Sequence, residues 1–167
     1  AGDGSGEHPT QALLDSFTIW DELKEDPKIV VFLGDLKHGR TVHSLAKLLS
    51  QLRPESNLVL RFCSPASLSI PDYILEYCKG NGVGTEICDD VTEACEGASV
   101  LYVTRVQKER FETEEAYESV KGSYVVDKVF MASAPKDMIV LHPLPRVDEI
   151  STEVDSDPRA AYFRQME

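Results

Sequence analysis

The alternation of short apolar runs with stretches of helical spacing constrains this chain more than anything else in it. Residues 29–33, 58–63, 85–88, 100–103 and 138–141 are short runs dominated by apolar, largely β-branched and aromatic side chains, and each reads as a strand. Between and before them lie helical patterns. Residues 9–23 place Leu13, Phe17 and Trp20 at helical intervals, and residues 41–52 do the same with Val42, Leu45, Ala46, Leu48 and Leu49. Residues 71–79, 91–96 and 127–132 read as further helices, and the acidic stretch 112–119 as a solvated loop or helix. At the end of the chain, Asp157 and Pro158 supply an N-cap and a first helical residue, so 159–167 is expected to be helical. Strands separated by helices must run parallel through right-handed crossovers. The expected fold is α/β: one doubly wound, Rossmann-like parallel sheet of about five strands with helices on both faces, spanning residues 1–167.

Composition narrows the chemistry. A formal net charge of −12 argues against a sequence-independent grip on nucleic acid, so any anion site must be built locally from placed arginines. No run approaches the roughly 20 apolar residues of a membrane span. Cys63, Cys78, Cys88 and Cys95 have no C-x-x-C spacing and sit mostly in apolar segments, which suits reduced thiols and a cytoplasmic protein. There is no H-E-x-x-H pattern, and His38 and His43 are not one helical turn apart, so no metal site is expected. Both ends look cut. A glycine-rich stretch at residues 2–6 runs into a helix signal without an initiating methionine, and the last helical pattern has no terminator, so a longer protein is expected.

Three loops that follow strands carry polar groups suited to chemistry, and in a parallel sheet they emerge at one edge. Gly34-Asp35-Leu36-Lys37-His38-Gly39-Arg40-Thr41 differs from a phosphate loop by one residue. Arg40 replaces the lysine, its planar fork suits a carboxylate, and no later strand ends in an aspartate placed for magnesium. A tight turn with a solvated Arg40 fits the same residues. After the fourth run come Thr104-Arg105-Val106-Gln107, with Arg105 and Gln107 on one side of an extended segment, as a carboxylate clamp or a solvated cluster. After the fifth come His142-Pro143-Leu144-Pro145-Arg146, where two prolines forbid helix and strand pairing and fix an irregular loop. Finally, His8-Pro9-Thr10-Gln11 opens the first helix, where free N–H groups favour oxyanions and Gln11 lies near His8, one turn along.

Taken in order, these four stretches closely resemble aspartate carbamoyltransferase, and the resemblance covers nearly the whole chain. His38 and the stretch Asp155-Ser156-Asp157-Pro158-Arg159-Ala160-Ala161-Tyr162-Phe163-Arg164-Gln165 look most like the domain fused into multifunctional pyrimidine-synthesis proteins. The resemblance implies transfer of a carbamoyl group from carbamoyl phosphate to L-aspartate, without metal, cofactor or covalent intermediate. It implies that His8 polarises the carbamoyl oxygen and that Gln11 and the Pro143 carbonyl hold the carbamoyl amide. It also implies that Arg40, Thr41, Arg105 and Gln107 bind aspartate, and that the Leu144 carbonyl orients the amine. A cis peptide before Pro145, a homotrimeric intact protein, and an absent carbamoyl-phosphate domain and last helix follow from the same resemblance. So does near-inactivity of the isolated chain. Ornithine carbamoyltransferase, which resembles this chain at His-Pro-x-Gln, carries a cysteine where Pro143 stands. A non-catalytic oligomerisation or regulatory module is the reading from another class.

Overall fold

β1 (Ile29–Leu33) lies at the centre of a five-stranded sheet in which every pairing is parallel and the order is β3-β2-β1-β4-β5. The computed structural model describes residues 7–52, 57–106, 111, 113–120 and 124–166. Along the chain come α1 (Pro9–Leu23), β1, α2 (Arg40–Leu52), β2 (Val59–Cys63), α3 (Asp72–Gly80), β3 (Gly84–Cys88) and α4 (Val91–Ala94). They are followed by β4 (Val100–Val103), α5 (Glu114–Val120), α6 (Lys128–Ser133) and β5 (Ile139–Leu141). The sheet grows outward from β1 to β3, then the chain returns to β4 on the other side. The order therefore reverses between β1 and β4, and the crevice at their carboxyl ends is where such sheets bind ligands.

Strand periodicity explains why both faces are covered. Val30 and Phe32 point into a core shared with Ala12 and Ile19 of α1, Leu45 and Leu49 of α2 and Ile74 of α3. Val31 and Leu33 point to the opposite core, built with Ala94 of α4, Met131 of α6 and Tyr162. The expected doubly wound α/β sheet with helices on both faces is the fold. Aromatic packing ties the central strands together: Phe32 stacks on Phe62 at 5.4 Å and meets Tyr102 edge-on at 5.7 Å. All four cysteines are free thiols, and burial pushes those of Cys63 and Cys95 up to about 12.

Of the C-terminal helix expected over 159–167, the described residues 159–166 form no α-helix. Asp157 accepts the Arg159 backbone N–H and its Nε, both at 2.9 Å, closing a local turn instead of capping a helix. The Arg159 guanidinium also donates to the carbonyls of Met131 (2.7 Å) and Pro135 (3.0 Å). Ala160 N–H closes this turn on Asp157 O (2.9 Å), and Ala160 then makes a parallel bridge with Val140, using Val140 N–H to Arg159 O (2.8 Å) and Ala161 N–H to Val140 O (2.9 Å). Pairing with the open edge of β5 satisfies donors and acceptors that a helix start would have left to water. Among the described residues of this stretch, 159–166, only Arg164–Met166 makes a helical turn, of the 3-10 type.

Candidate active site

The geometry begins at Gly34, the first residue after β1. Its φ is +119°, and a Cβ there would lie 2.2 Å from the Thr104 carbonyl oxygen. The loops leaving β1 and β4 therefore cross almost in contact, with Thr104 N–H donating to Leu33 O at 2.8 Å, before opening upward around a cleft. Beyond Gly34, the buried Asp35 carboxylate accepts the His38 backbone N–H (3.0 Å) and meets His38 Nδ1 at 3.1 Å. Gly39 folds back so closely that a Cβ would sit 2.6 Å from Asp35 O, and α2 starts immediately after it at Arg40. The start of α1 is tied to the same place, since His8 N–H donates to Ser44 Oγ of α2 at 2.8 Å. Two helix N-termini, with their unpaired N–H groups and partial positive charge, thus adjoin one crevice.

The cleft has a volume of about 260 Å³. Its walls contain His8, Gln11, Arg40, Thr41, Arg105, Pro143 and Leu144, brought from four separate stretches of sequence. Gln107 lies outside the described residues. Sequence reasoning assigned no role to Asp35, His38, Thr104 or His142, which also line the cleft. The available signal was position, because each sits inside a stretch that follows a strand. Arg146, in the same loop as Pro143, is not a wall residue. It forms a two-point pair with Asp155, at 2.6 Å through Nη2, and packs over the Phe163 ring. His8 Nδ1 is buried without a hydrogen-bond partner among the described residues.

His142 is the device that shapes the last loop. It is 2% exposed. Its Nδ1 accepts the Leu144 N–H at 2.8 Å, so the proton lies on Nε2, which donates to Glu149 Oε1 at 2.7 Å. Glu149 also accepts the backbone N–H groups of Val147 and Asp148. This clasp holds Leu144 at φ +47° before a cis peptide to Pro145, as the resemblance implied. Burial alone would raise the Glu149 carboxyl, but the His142 ring and backbone donors outweigh it and hold it below its ordinary value of 4.5. The ionised clasp therefore stabilises the fold above pH 4.5, and that contribution is lost as pH falls through the lower, folded value. Glu149→Gln is expected to cost about 1–3 kcal/mol near neutrality. In urea titrations at several pH values, the gap to the parent protein should close on acidification. A gap unchanged down to strongly acidic pH would show that the carboxylate charge is not what holds the loop.

A second buried carboxylate lies behind the opposite wall. Asp15 of α1 is fully buried, and burial pushes its carboxyl up despite hydrogen bonds from Tyr102, Gln11 and Gln165.

Comparison with known proteins agrees with this geometry. The family model for the Asp/Orn binding domain of aspartate/ornithine carbamoyltransferase matches residues 26–167. The chain belongs to that family. It is 52% identical over its whole length to the multifunctional protein CAD of Squalus acanthias, of which it covers 7%. It is 48% identical to the aspartate carbamoyltransferase catalytic subunit of Thermoplasma acidophilum, over 99% of this chain and 53% of that one. Among solved structures, the catalytic subunit of M. jannaschii aspartate transcarbamoylase superposes with a TM-score of 0.89 at 44% identity, over 99% of this chain and 53% of that one. The Trypanosoma cruzi aspartate transcarbamoylase, solved in complex with N-(phosphonacetyl)-L-aspartic acid, superposes with a TM-score of 0.81 at 44% identity, over 99% of this chain and 53% of that one. The chain thus spans about half the length of single-function members of the carbamoyltransferase family and a small part of a multifunctional one. Among the described residues, no helix is long and apolar enough to cross a membrane.

Proposed function

We propose that this chain is the aspartate-binding half of an aspartate carbamoyltransferase, which joins L-aspartate to the carbamoyl group of carbamoyl phosphate and releases N-carbamoyl-L-aspartate and phosphate. The observation that carries this reading is the placement of Arg40 and Arg105 on the walls of one cleft with His8, Gln11, Pro143 and Leu144. Aspartate brings two carboxylates, and two guanidiniums give each a charge-assisted partner. Thr41 adds a hydroxyl beside Arg40, and Gln107, two residues beyond Arg105, is assigned an amide donor role on the resemblance. Ornithine would set its side-chain ammonium against the second guanidinium, which disfavours it.

In this reading, the Leu144 carbonyl accepts from the aspartate amine and aims its lone pair at the carbamoyl carbon. The C–N bond forms, the carbonyl oxygen gains negative charge, and His8 donates to it. The C–O bond to phosphate then breaks, and one amine proton ends on the departing phosphate. Gln11 and the Pro143 carbonyl accept from the carbamoyl amide. Catalysis then rests on positioning and electrostatics, with no metal or cofactor required. The phosphate is assigned to the half of the protein that the relatives carry beyond this region, and the intact protein is read as a homotrimer, with fusion to other pyrimidine-synthesis domains as in the multifunctional relatives. The free thiols suit a cytoplasmic setting.

The test is carbamoyl transfer by the full-length polypeptide carrying this sequence, offered aspartate and ornithine in parallel. Turnover of aspartate alone is expected, with the isolated 167-residue chain nearly inactive. Turnover of ornithine, or of neither amine, would overturn the assignment.

A further inference from the structure

Asp15 is not itself a wall residue of the cleft, yet it is hydrogen-bonded to one, Gln11, and to groups that support others. Its Oδ1 accepts from Gln11 Nε2 at 2.7 Å and from Gln165 Nε2, and its Oδ2 accepts from the Tyr102 hydroxyl at 2.6 Å. Gln165 in turn accepts the His142 backbone N–H through Oε1 at 3.2 Å. One carboxylate thus links the start of α1, the central strand β4 through Tyr102 and, through Gln165, the loop after β5. Burying a carboxylate is costly, and an apolar side chain of similar size would serve as well for packing alone. The arrangement therefore needs a reason other than cohesion.

The reason lies in polarity. The Asp15 carboxylate accepts from three donors, so each amide facing it presents nitrogen. With Gln11 Nε2 committed to Asp15, the polar atom Gln11 retains for the cleft is the acceptor Oε1. A carbamoyl –NH2 is a donor and requires an acceptor. With the Gln11 amide turned over, two N–H donors would face each other. We propose that Asp15 is a positioning residue that sets the polarity of Gln11, and so selects a carbamoyl amide at this wall. The inference rests on the carbamoyl-transfer reading above and deepens it.

Asp15→Asn keeps the shape and leaves a single acceptor oxygen for three donors. In the full-length polypeptide, its kcat with aspartate is expected to fall about ten- to a hundredfold, the scale of a misplaced binding group. In a Gln11→Ala background, the same substitution should cost less than about twofold, because residues acting through one another are non-additive. The swapped pair Asp15→Asn/Gln11→Glu restores an acceptor facing the cleft and should recover part of the kcat lost in Asp15→Asn alone. An unaltered kcat in Asp15→Asn, or an equal loss in both backgrounds, would overturn the proposal while leaving aspartate turnover by the parent protein intact. If Asp15→Asn is too unstable to assay, the swapped pair decides: kcat above that of Gln11→Ala supports the proposal, and kcat at or below it overturns it. A parent protein that turns over neither amine removes the carbamoyl-transfer reading itself, and this inference with it.

Discussion

Arg105→Ala is expected to lower kcat/KM for aspartate by two to three orders of magnitude while leaving the fold in place. Arg105 stands just past β4, on the cleft wall shared with Arg40. Aspartate is a dicarboxylate approaching a protein of formal net charge −12, so its second carboxylate is held in the cleft only by a cation placed there. Removing one partner of a desolvated, hydrogen-bonded charge pair costs about 2–5 kcal/mol, and each 1.4 kcal/mol is a factor of ten. Steady-state kinetics with aspartate varied at saturating carbamoyl phosphate measures the loss directly. Arg105→Lys should fall between the two proteins, because an ammonium keeps the charge and gives up the planar two-point fork. An alanine variant within about tenfold of the parent protein would be incompatible with the aspartate assignment at this wall, since a loss that small is under about 1.4 kcal/mol.

Gly34→Ala should be the most damaging single substitution for stability. The site demands a backbone at φ +119°, which L side chains rarely adopt, and the new Cβ would lie 2.2 Å from a main-chain carbonyl oxygen, that of Thr104. Neither fault can be relieved by rotating a side chain. Relief requires β1 and β4 to separate at their carboxyl ends, where Gly34 N–H also donates to Cys63 O. The expected cost is about 4 kcal/mol or more, in the exceptional range for one residue. For a domain of this size, that lowers the melting temperature by about 10 °C or more. Thermal unfolding followed by circular dichroism tests it. The same separation would pull Arg40 away from Arg105, so any folded remainder should also bind substrate poorly. A melting temperature within about 2 °C of the parent protein would show that the crossing of the two loops is not as tight as the geometry states, because that shift corresponds to at most about 1 kcal/mol.

Much of the architecture was legible in the order of residues because its signals are local. The β-branched runs, the helical spacing in 41–52 and the tight turn at Gly39 each act within a few residues, and those interactions survive in the fold. Where a local signal met a stronger distant partner, it lost. Asp157-Pro158 opens a helix in isolation, but the free edge of β5 and the carbonyls near Met131 offered Arg159 and Ala160 better hydrogen bonds. The cleft was legible to the extent that its residues follow strands. His142 was passed over because its importance lies in an acceptor seven residues away, Glu149, and in one N–H of its own loop. Asp15 gave no signal at all, since on sequence it is one acidic residue on an amphipathic helix.

The sequence by itself therefore determined the parallel α/β sheet, the edge at which the cleft opens and the residue types that meet there, because periodicity and turn chemistry are short-range. Only the tertiary structure decided how those groups are aimed. Which end of the Gln11 amide faces the cleft, which nitrogen of His142 carries its proton, and which of Arg40, Arg105 and Arg146 remains on the wall depend on the carboxylates beside them, buried Asp15, half-buried Glu149 and exposed Asp155. The fold sets each carboxylate against its partner, and because an ionised carboxylate only accepts, the groups around it must present N–H or O–H, which fixes their orientation.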